Sequence, residues 1–409
     1  MVSEKELFSY HTAPNGLRVV HRLAPGALVD YCGVSVNAGS RDESPDREGL
    51  AHFVEHTIFK GTDRRRSMHI LNRMEAVGGE LNAYTTKEET VIYTIAPAGN
   101  LGRSVDLLAD LILNSRFPKV EIDREREVVA DEINSYLDNP SEAIFDDFDD
   151  LVFAGSSLGH NILGSVESIQ RFGPEECRHW LDEFYTPTEM VFFYMGAKPA
   201  QTVFKTVERY FAPLKYPDHG RVRLTPAPVA PFDVVRPIGS HQAHTVLGAR
   251  IPGLHSPRRY AVAMLTNILG GPGMNSLLNV ELREKRGLVY SVDATTQLYG
   301  DLGLFTIYFG CDPGDTDRCL RLTARVLDSL AQSPMSPSKL ERARRQYIGQ
   351  MAVAGENREQ QALSTGRSVL IYDRVRGVGE TIEIINSLTA DDLLEAARGI
   401  VNTSRLTFC

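Results

Sequence analysis

The chain has a single tryptophan, only five cysteines and no excess of basic residues among its 409 positions. Cys32, Cys177, Cys311, Cys319 and Cys409 are odd in number, scattered, and include no C-x-x-C pair. Neither a disulfide framework nor a thiolate zinc site is therefore indicated, and reduced thiols in a cytoplasmic protein fit this usage. No apolar run approaches the ~18 residues of a membrane span. The first ten residues, MVSEKELFSY, have neither the apolar core of a secretory signal nor the Arg-rich character of an import leader. Export and membrane insertion are not expected. Lys plus Arg total 44 against 53 for Asp plus Glu, a formal charge of −9. That balance offers no electrostatic footprint for nucleic acid or anionic lipid and suits basic partners better.

What is present is an ordinary globular composition, 42% hydrophobic and 24% charged. At about 100–200 residues per domain the length predicts two or three domains with cores of their own. A repeat organises them. Glu167-Ser-Ile-Gln-Arg-Phe-Gly-Pro-Glu-Glu leads through an amphipathic segment into the apolar run Met190-Val-Phe-Phe-Tyr-Met195. Glu383-Ile-Ile-Asn-Ser-Leu-Thr-Ala-Asp-Asp leads in the same way into Leu406-Thr-Phe-Cys409, about 216 residues later. Between the copies, residues 215–235 hold four prolines and no sustained period, the pattern of a stiff linker. The reading is a first domain over 1–215, a linker over 216–235 and a second, degenerate copy over 236–409. Strand-like and helical patterns alternate in the same order in both halves, predicting an α+β fold with helices packed on mostly antiparallel sheets.

The chemistry concentrates in His52-Phe-Val-Glu-His56, inside a helical pattern that ends at Gly61. His52 and His56 are one turn apart and project from one face, so both imidazoles can reach one ion, with Glu55 between them as a general base. With 11 histidines in the chain, chance supplies only about 0.02 strings of this kind. A third ligand is needed, and the helix predicted over Lys119–Leu137 carries Glu125 and Glu132 on one face, seven residues apart. Glu132 is the candidate ligand and Glu125 the residue behind it. Spacing alone also allows a solvated acidic face there, as it allows a hydrogen-bonded His pair at 52 and 56.

With Glu132 76 positions after His56, the pattern resembles the inverted-zincin (HxxEH) peptidases of family M16, among them mitochondrial processing peptidase. The resemblance runs on through Gly78-Gly-Glu-Leu-Asn-Ala-Tyr-Thr-Thr86, Leu158-Gly-His-Asn-Ile-Leu-Gly164 and Leu282-Arg-Glu-Lys-Arg-Gly-Leu-Val-Tyr290. It implies two related α/β-sandwich domains of the LuxS/MPP-like metallohydrolase type. It also implies one zinc ion per chain on His52, His56 and Glu132, and endopeptidase activity with Glu55 as base on zinc-bound water. Arg283 and Tyr290 match a pair that such enzymes bring to the substrate from an opposing second half, which implies a homodimer with composite sites, half of a four-domain chamber per chain. From spacing alone they are an ordinary helix-end Arg and a strand Tyr. Asn82 and Ala83 lie on a presumptive edge strand that could bind an extended peptide by its main chain. Glu142 and Asp146 fall where mitochondrial processing peptidase places acids that hold a substrate arginine, although a solvated acidic face explains them equally. The second half cannot hold this zinc: Pro257–Leu269 contains neither His nor Glu. The alternatives to an active peptidase are a non-catalytic M16-like scaffold and a subunit of a heterodimeric processing complex.

Overall fold

The protein is described from a computed structural model covering residues 7–214 and 221–409. Residues 216–220 of the expected linker, like residues 1–6, lie outside the described residues. In chain order the strands are β1 Phe8–Thr12, β2 Arg18–Leu23, β3 Val29–Val36, β4 Glu80–Thr85, β5 Thr90–Pro97, β6 Met190–Gly196, β7 Asp233–Arg236, β8 Ala243–Pro252, β9 Val289–Leu298, β10 Leu302–Cys311 and β11 Ser404–Phe408. The helices are α1 Leu50–Thr57, α2 Ser67–Glu75, α3 Leu101–Asn114, α4 Lys119–Leu137, α5 Pro140–Val152, α6 Val166–Ile169, α7 Pro174–Phe184, α8 Ala200–Phe211, α9 Arg259–Gly270, α10 Thr316–Gln332, α11 Pro337–Ala354, α12 Arg358–Tyr372, α13 Val378–Ser387 and α14 Ala390–Ile400.

Each of two compact units is built on one sheet. The first has the order β1-β2-β6-β3-β5-β4 and the second β7-β11-β8-β10-β9. Without β1 the first order becomes that of the second. In each, the last strand of the half (β6 or β11) lies parallel to an early strand (β2 or β7) and antiparallel to the next (β3 or β8). All other pairings are antiparallel. The repeat seen at the ends of the two halves is thus a repeat of topology.

Packing departs from chain order in two places. The first unit takes the described residues up to Asn134, His160–Leu224 and Gly355–Gly377; the second takes Ser135–Gly159, Thr225–Ala354 and Val378–Cys409. The cause is that both sheets are apolar on both faces, and an apolar face must be covered. One face of the first sheet buries Val34, Ile92, Phe192 and Tyr194 against helices including α1, α3, α7 and α8. Its other face, with Val20, Val91 and Phe193, is covered by Ala362, Leu363 and Val369 of α12, a helix from the second half. The second sheet buries Leu247, Phe305 and Ile307 with α9, α10 and α14. Ile144, Phe148 and Val152 of α5, from the first half, cover Val246, Leu304 and Leu406 on its other face.

Two local readings change. The linker ends in a short edge strand, since β7 pairs with β11 from Asp233 to Arg236, while residues 221–232 carry no helix or strand. The pattern of residues 274–286 is that of a helix, but the structure has a π-helical turn there, Asn279–Glu284, after the turn-favouring Gly271-Pro-Gly273 sequence.

The docking of α12 is testable at Gly366, where an added methyl carbon would lie 2.5 Å from Phe193 Cδ1 and 2.7 Å from Ser35 Oγ. Overpacking costs about 1–3 kcal/mol, against about 1 kcal/mol gained in helix propensity on replacing Gly by Ala. Gly366→Ala should therefore lower the urea midpoint of the first unit; a raised midpoint would show that α12 is not seated on Phe193.

Candidate metal centre

α1 forms where Gly49, at φ 95°, turns the chain into a helix whose Leu50, Ala51, Phe53 and Val54 are buried. Sinking that apolar side turns His52, Glu55 and His56 toward α4. The 52 and 56 rings meet with centroids 4.5 Å apart. On α4, Ile122, Glu125, Val129 and Ile133 are buried, and Glu132, at the margin of that stripe, is more exposed. His52 Nε2 stands 3.8 Å from Glu132 Oε1 and His56 Nε2 stands 3.4 Å from Glu132 Oε2. One ligand atom from each of the three residues lies within 4.8 Å of the others, and among the described residues no other such group of His, Cys, Asp or Glu occurs.

Glu125 stands behind this group. His56 Nδ1–H donates to Glu125 Oε1 at 3.0 Å, which leaves the Nε2 lone pair facing Glu132. Lys60 Nζ holds the other carboxylate oxygen of Glu125 at 2.6 Å. Burial works against the Glu125 charge, but His56 and Lys60 keep its carboxyl below the ordinary value. Burial likewise opposes a charged His56, yet Glu125, Glu132 and Glu55 outweigh it and raise the pKa. His52 differs: burial, with His56 adding to it, pushes its pKa down to about 3, so it is neutral at pH 7, with a buried Nδ1 that has no hydrogen-bond partner. Burial pushes the Glu55 carboxyl up, with the Thr85 hydroxyl and His56 opposing the shift and Glu132 adding to it.

These residues fit a divalent cation. Two imidazoles and a carboxylate are a catalytic zinc donor set. Their lone pairs converge with no protein donor between them, and three carboxylates surrounding His56 favour positive charge at that point. Lys60 and Thr85 escaped the sequence reading. Lys60 is one turn beyond His56, a spacing that could have flagged it; the nearness of Thr85 arises from sheet packing and left no local signal.

The remaining candidates are on other elements. Asn82 and Ala83 are on β4, which among the described residues pairs with β5 alone and so forms an edge of the first sheet. Arg283, on the π-helical turn, and Tyr290, on β9, belong to the second unit, and both are exposed. Glu142 and Asp146 are on α5, also in the second unit: Glu142 is exposed and Asp146 lies beside the Tyr136 hydroxyl. None of these six is part of the His52, His56 and Glu132 group.

An HxxEH helix with a glutamate from a neighbouring helix, set on an α/β fold, defines a metallohydrolase class of site. The comparisons narrow it. Residues 18–166 match the family model described as insulinase (peptidase family M16), and residues 171–347 match that of the peptidase M16 inactive domain. An uncharacterised zinc protease of Streptomyces coelicolor is 32% identical over 403 residues, covering 95% of this chain and 86% of its own. An uncharacterised zinc protease of Mycobacterium tuberculosis is 33% identical over 402 residues, with 96% and 90% covered. Among solved structures, a protease from Helicobacter pylori superposes with a TM-score of 0.90 at 22% identity, covering 98% of this chain and 99% of that one. A peptidase M16 inactive domain from Pseudomonas fluorescens gives 0.90 at 17%, covering 98% and 97%; both likenesses show the fold. The chain belongs to peptidase family M16, as a metallopeptidase-family member of the short bacterial type.

If the three residues are ligands, His52→Ala and Glu132→Ala should purify without zinc by elemental analysis. Glu125→Gln should keep the metal but bind it about 10–100-fold more weakly, measured by chelator competition. Unchanged affinity in that variant would remove Glu125 from the centre.

Proposed function

We propose that the chain is a zinc-dependent endopeptidase acting on peptides or unfolded protein segments, with His52, His56 and Glu132 holding one zinc ion and Glu55 transferring the proton. The observation that carries this is that the His52 and His56 imidazoles, on the helix that also carries Glu55, and the Glu132 carboxylate of α4 bring ligand atoms within 4.8 Å of one another. Zinc bound there would supply a Lewis acid and a water of lowered pKa. The rest falls to side chains and backbone. A Glu55 carboxylate oxygen accepts the proton of the attacking water and returns it to the amine nitrogen of the leaving segment. Glu125 fixes the His56 ring through Nδ1, and Lys60 fixes Glu125. The open edge of β4 at Asn82 and Ala83 offers main-chain donors and acceptors to an extended substrate, so that selection rests on backbone more than on sequence.

Two further parts of the proposal come from the family resemblance. Arg283 and Tyr290, supplied by the second unit of a partner copy, would donate to the substrate carbonyl and its oxyanion, making the working enzyme a homodimer. Glu142 and Asp146 would hold a basic side chain of the substrate. The inactive-domain match covers residues 171–347, a stretch that contains none of the HxxEH residues and does not count against the first half.

The discriminating variant is Glu55→Gln. It should retain one zinc per chain and lose about 10²–10⁴-fold in turnover of a quenched peptide. A zinc-loaded Gln variant with normal turnover would exclude Glu55 as the proton carrier.

A further inference from the structure

Near α1 lies a buried charge that the chemistry above does not use. The Glu43 side chain is completely buried. Its Oε2 accepts the Gly49 N–H at 2.8 Å and its Oε1 the Ala51 N–H at 2.7 Å, two of the free donors at the start of the metal-site helix. The lone pair left on Oε2 takes His160 Nε2–H at 2.7 Å. All three partners donate to the carboxyl oxygens and none accepts from them, the arrangement that suits a carboxylate. Burial pushes its pKa up, and His160 and the two N–H groups oppose that.

His160 belongs to Leu158-Gly-His-Asn-Ile-Leu-Gly164, a motif that no step of the proposed reaction employs. The loop is fastened at both ends. Lys87 Nζ donates to the His160 carbonyl. At the other end Gly164, at φ 71°, meets Gly49 backbone to backbone: a methyl on Gly164 would lie 2.4 Å from the Glu48 carbonyl oxygen and 2.8 Å from Gly49 Cα. The helix thus starts against a loop 117 residues away from Glu43 in sequence, with a three-donor carboxylate between them.

We propose that Glu43 and His160 are positioning residues of the metal centre: their hydrogen bond clamps the first turn of α1 and sets the directions of His52, Glu55 and His56. An ordinary cap such as Ser or Asp would satisfy the helix N–H groups from one side. The Glu43 carboxylate does this and also accepts from His160, so the helix cannot rotate or slide without breaking a bond to a fully buried charge. A misplacement of about 1 Å at a reacting group can cost about a hundredfold in rate, which is what the clamp prevents. The inference rests on the peptidase reading for its purpose, though not for the clamp itself.

The experiment compares wild type with Glu43→Gln, His160→Ala and His160→Gln. Gln at 43 has one acceptor oxygen for three donors; Gln at 160 keeps an N–H that can reach Glu43. Thermal melts establish folding, amide exchange reports the order of α1 in the metal-free protein, and titration with Co²⁺ gives both affinity and the ligand-field spectrum. Expected are cooperative melts, α1 amides exchanging about tenfold faster in Glu43→Gln and His160→Ala, and cobalt affinity about tenfold weaker with a shifted spectrum. His160→Gln should recover both. Wild-type exchange and cobalt binding in Glu43→Gln and His160→Ala would overturn the proposal, as would equal impairment in the two His160 variants. Should Glu43→Gln not fold, the His160 pair decides. If the wild type itself bound no Co²⁺, the peptidase reading would fail while the exchange measurement still decided the clamp.

Discussion

An eight-residue helix is too short to hold itself together in water, so the candidate centre depends on what α1 rests against. Below it, Leu50, Phe53 and Val54 are fully buried in the first unit's core. Ahead of its start, three successive charged residues fasten the segments around it. Arg41 reaches Glu88 at 2.6 Å and the Leu224 carbonyl at 2.9 Å. Asp42 takes Arg223 at 2.8 Å and Arg221 at 3.2 Å, and Glu43 takes α1 and His160. Unpairing a buried charge typically costs about 3–5 kcal/mol, so this short loop acts as a rigid junction for the first unit. The chemistry is then set by helix geometry: two imidazoles one turn apart, and a facing carboxylate from α4.

Electrostatics and topology do separate work. The second unit repeats the strand order of the first and has no counterpart to the ligands; α9, reading RYAVAMLTNILG, has neither His nor Glu. The fold therefore does not require the metal, and a functional argument has to stand on the side chains of α1 and α4. Those side chains form an acidic pocket, with Glu55, Glu125 and Glu132 gathered around His56 and with Lys60 the cation paired to Glu125. Three carboxylates and one ammonium favour positive charge at this point, and a divalent cation bound by His52, His56 and Glu132 would supply it.

Much of this was legible in the sequence because it is local. His52, Glu55 and His56 share one helix face by period alone, and α4 matches its predicted span of Lys119–Leu137. Glu132 needed the family resemblance, since a carboxylate on a polar helix face is common. The strands β1 and β7 leave little signal because, at five and four residues, they are short edge strands. The exchange of α5 and α12 was invisible for a different reason: an amphipathic helix specifies that a face be covered, not which sheet it covers. Glu43 and His160 lie far apart in the chain, and only the fold makes them partners, although the motif containing His160 had already stood out.

We propose that a metal held by α1 and α4 makes this chain a peptidase. It is tested most directly by following cleavage of a quenched peptide by the purified protein, then by the same sample after chelation and dialysis, then after one equivalent of zinc is restored. Expected are cleavage, its loss, and its return at a stoichiometry of one zinc per chain. Cleavage that persists in protein shown by elemental analysis to be free of metal would contradict it, as would a zinc-loaded protein that cleaves no peptide.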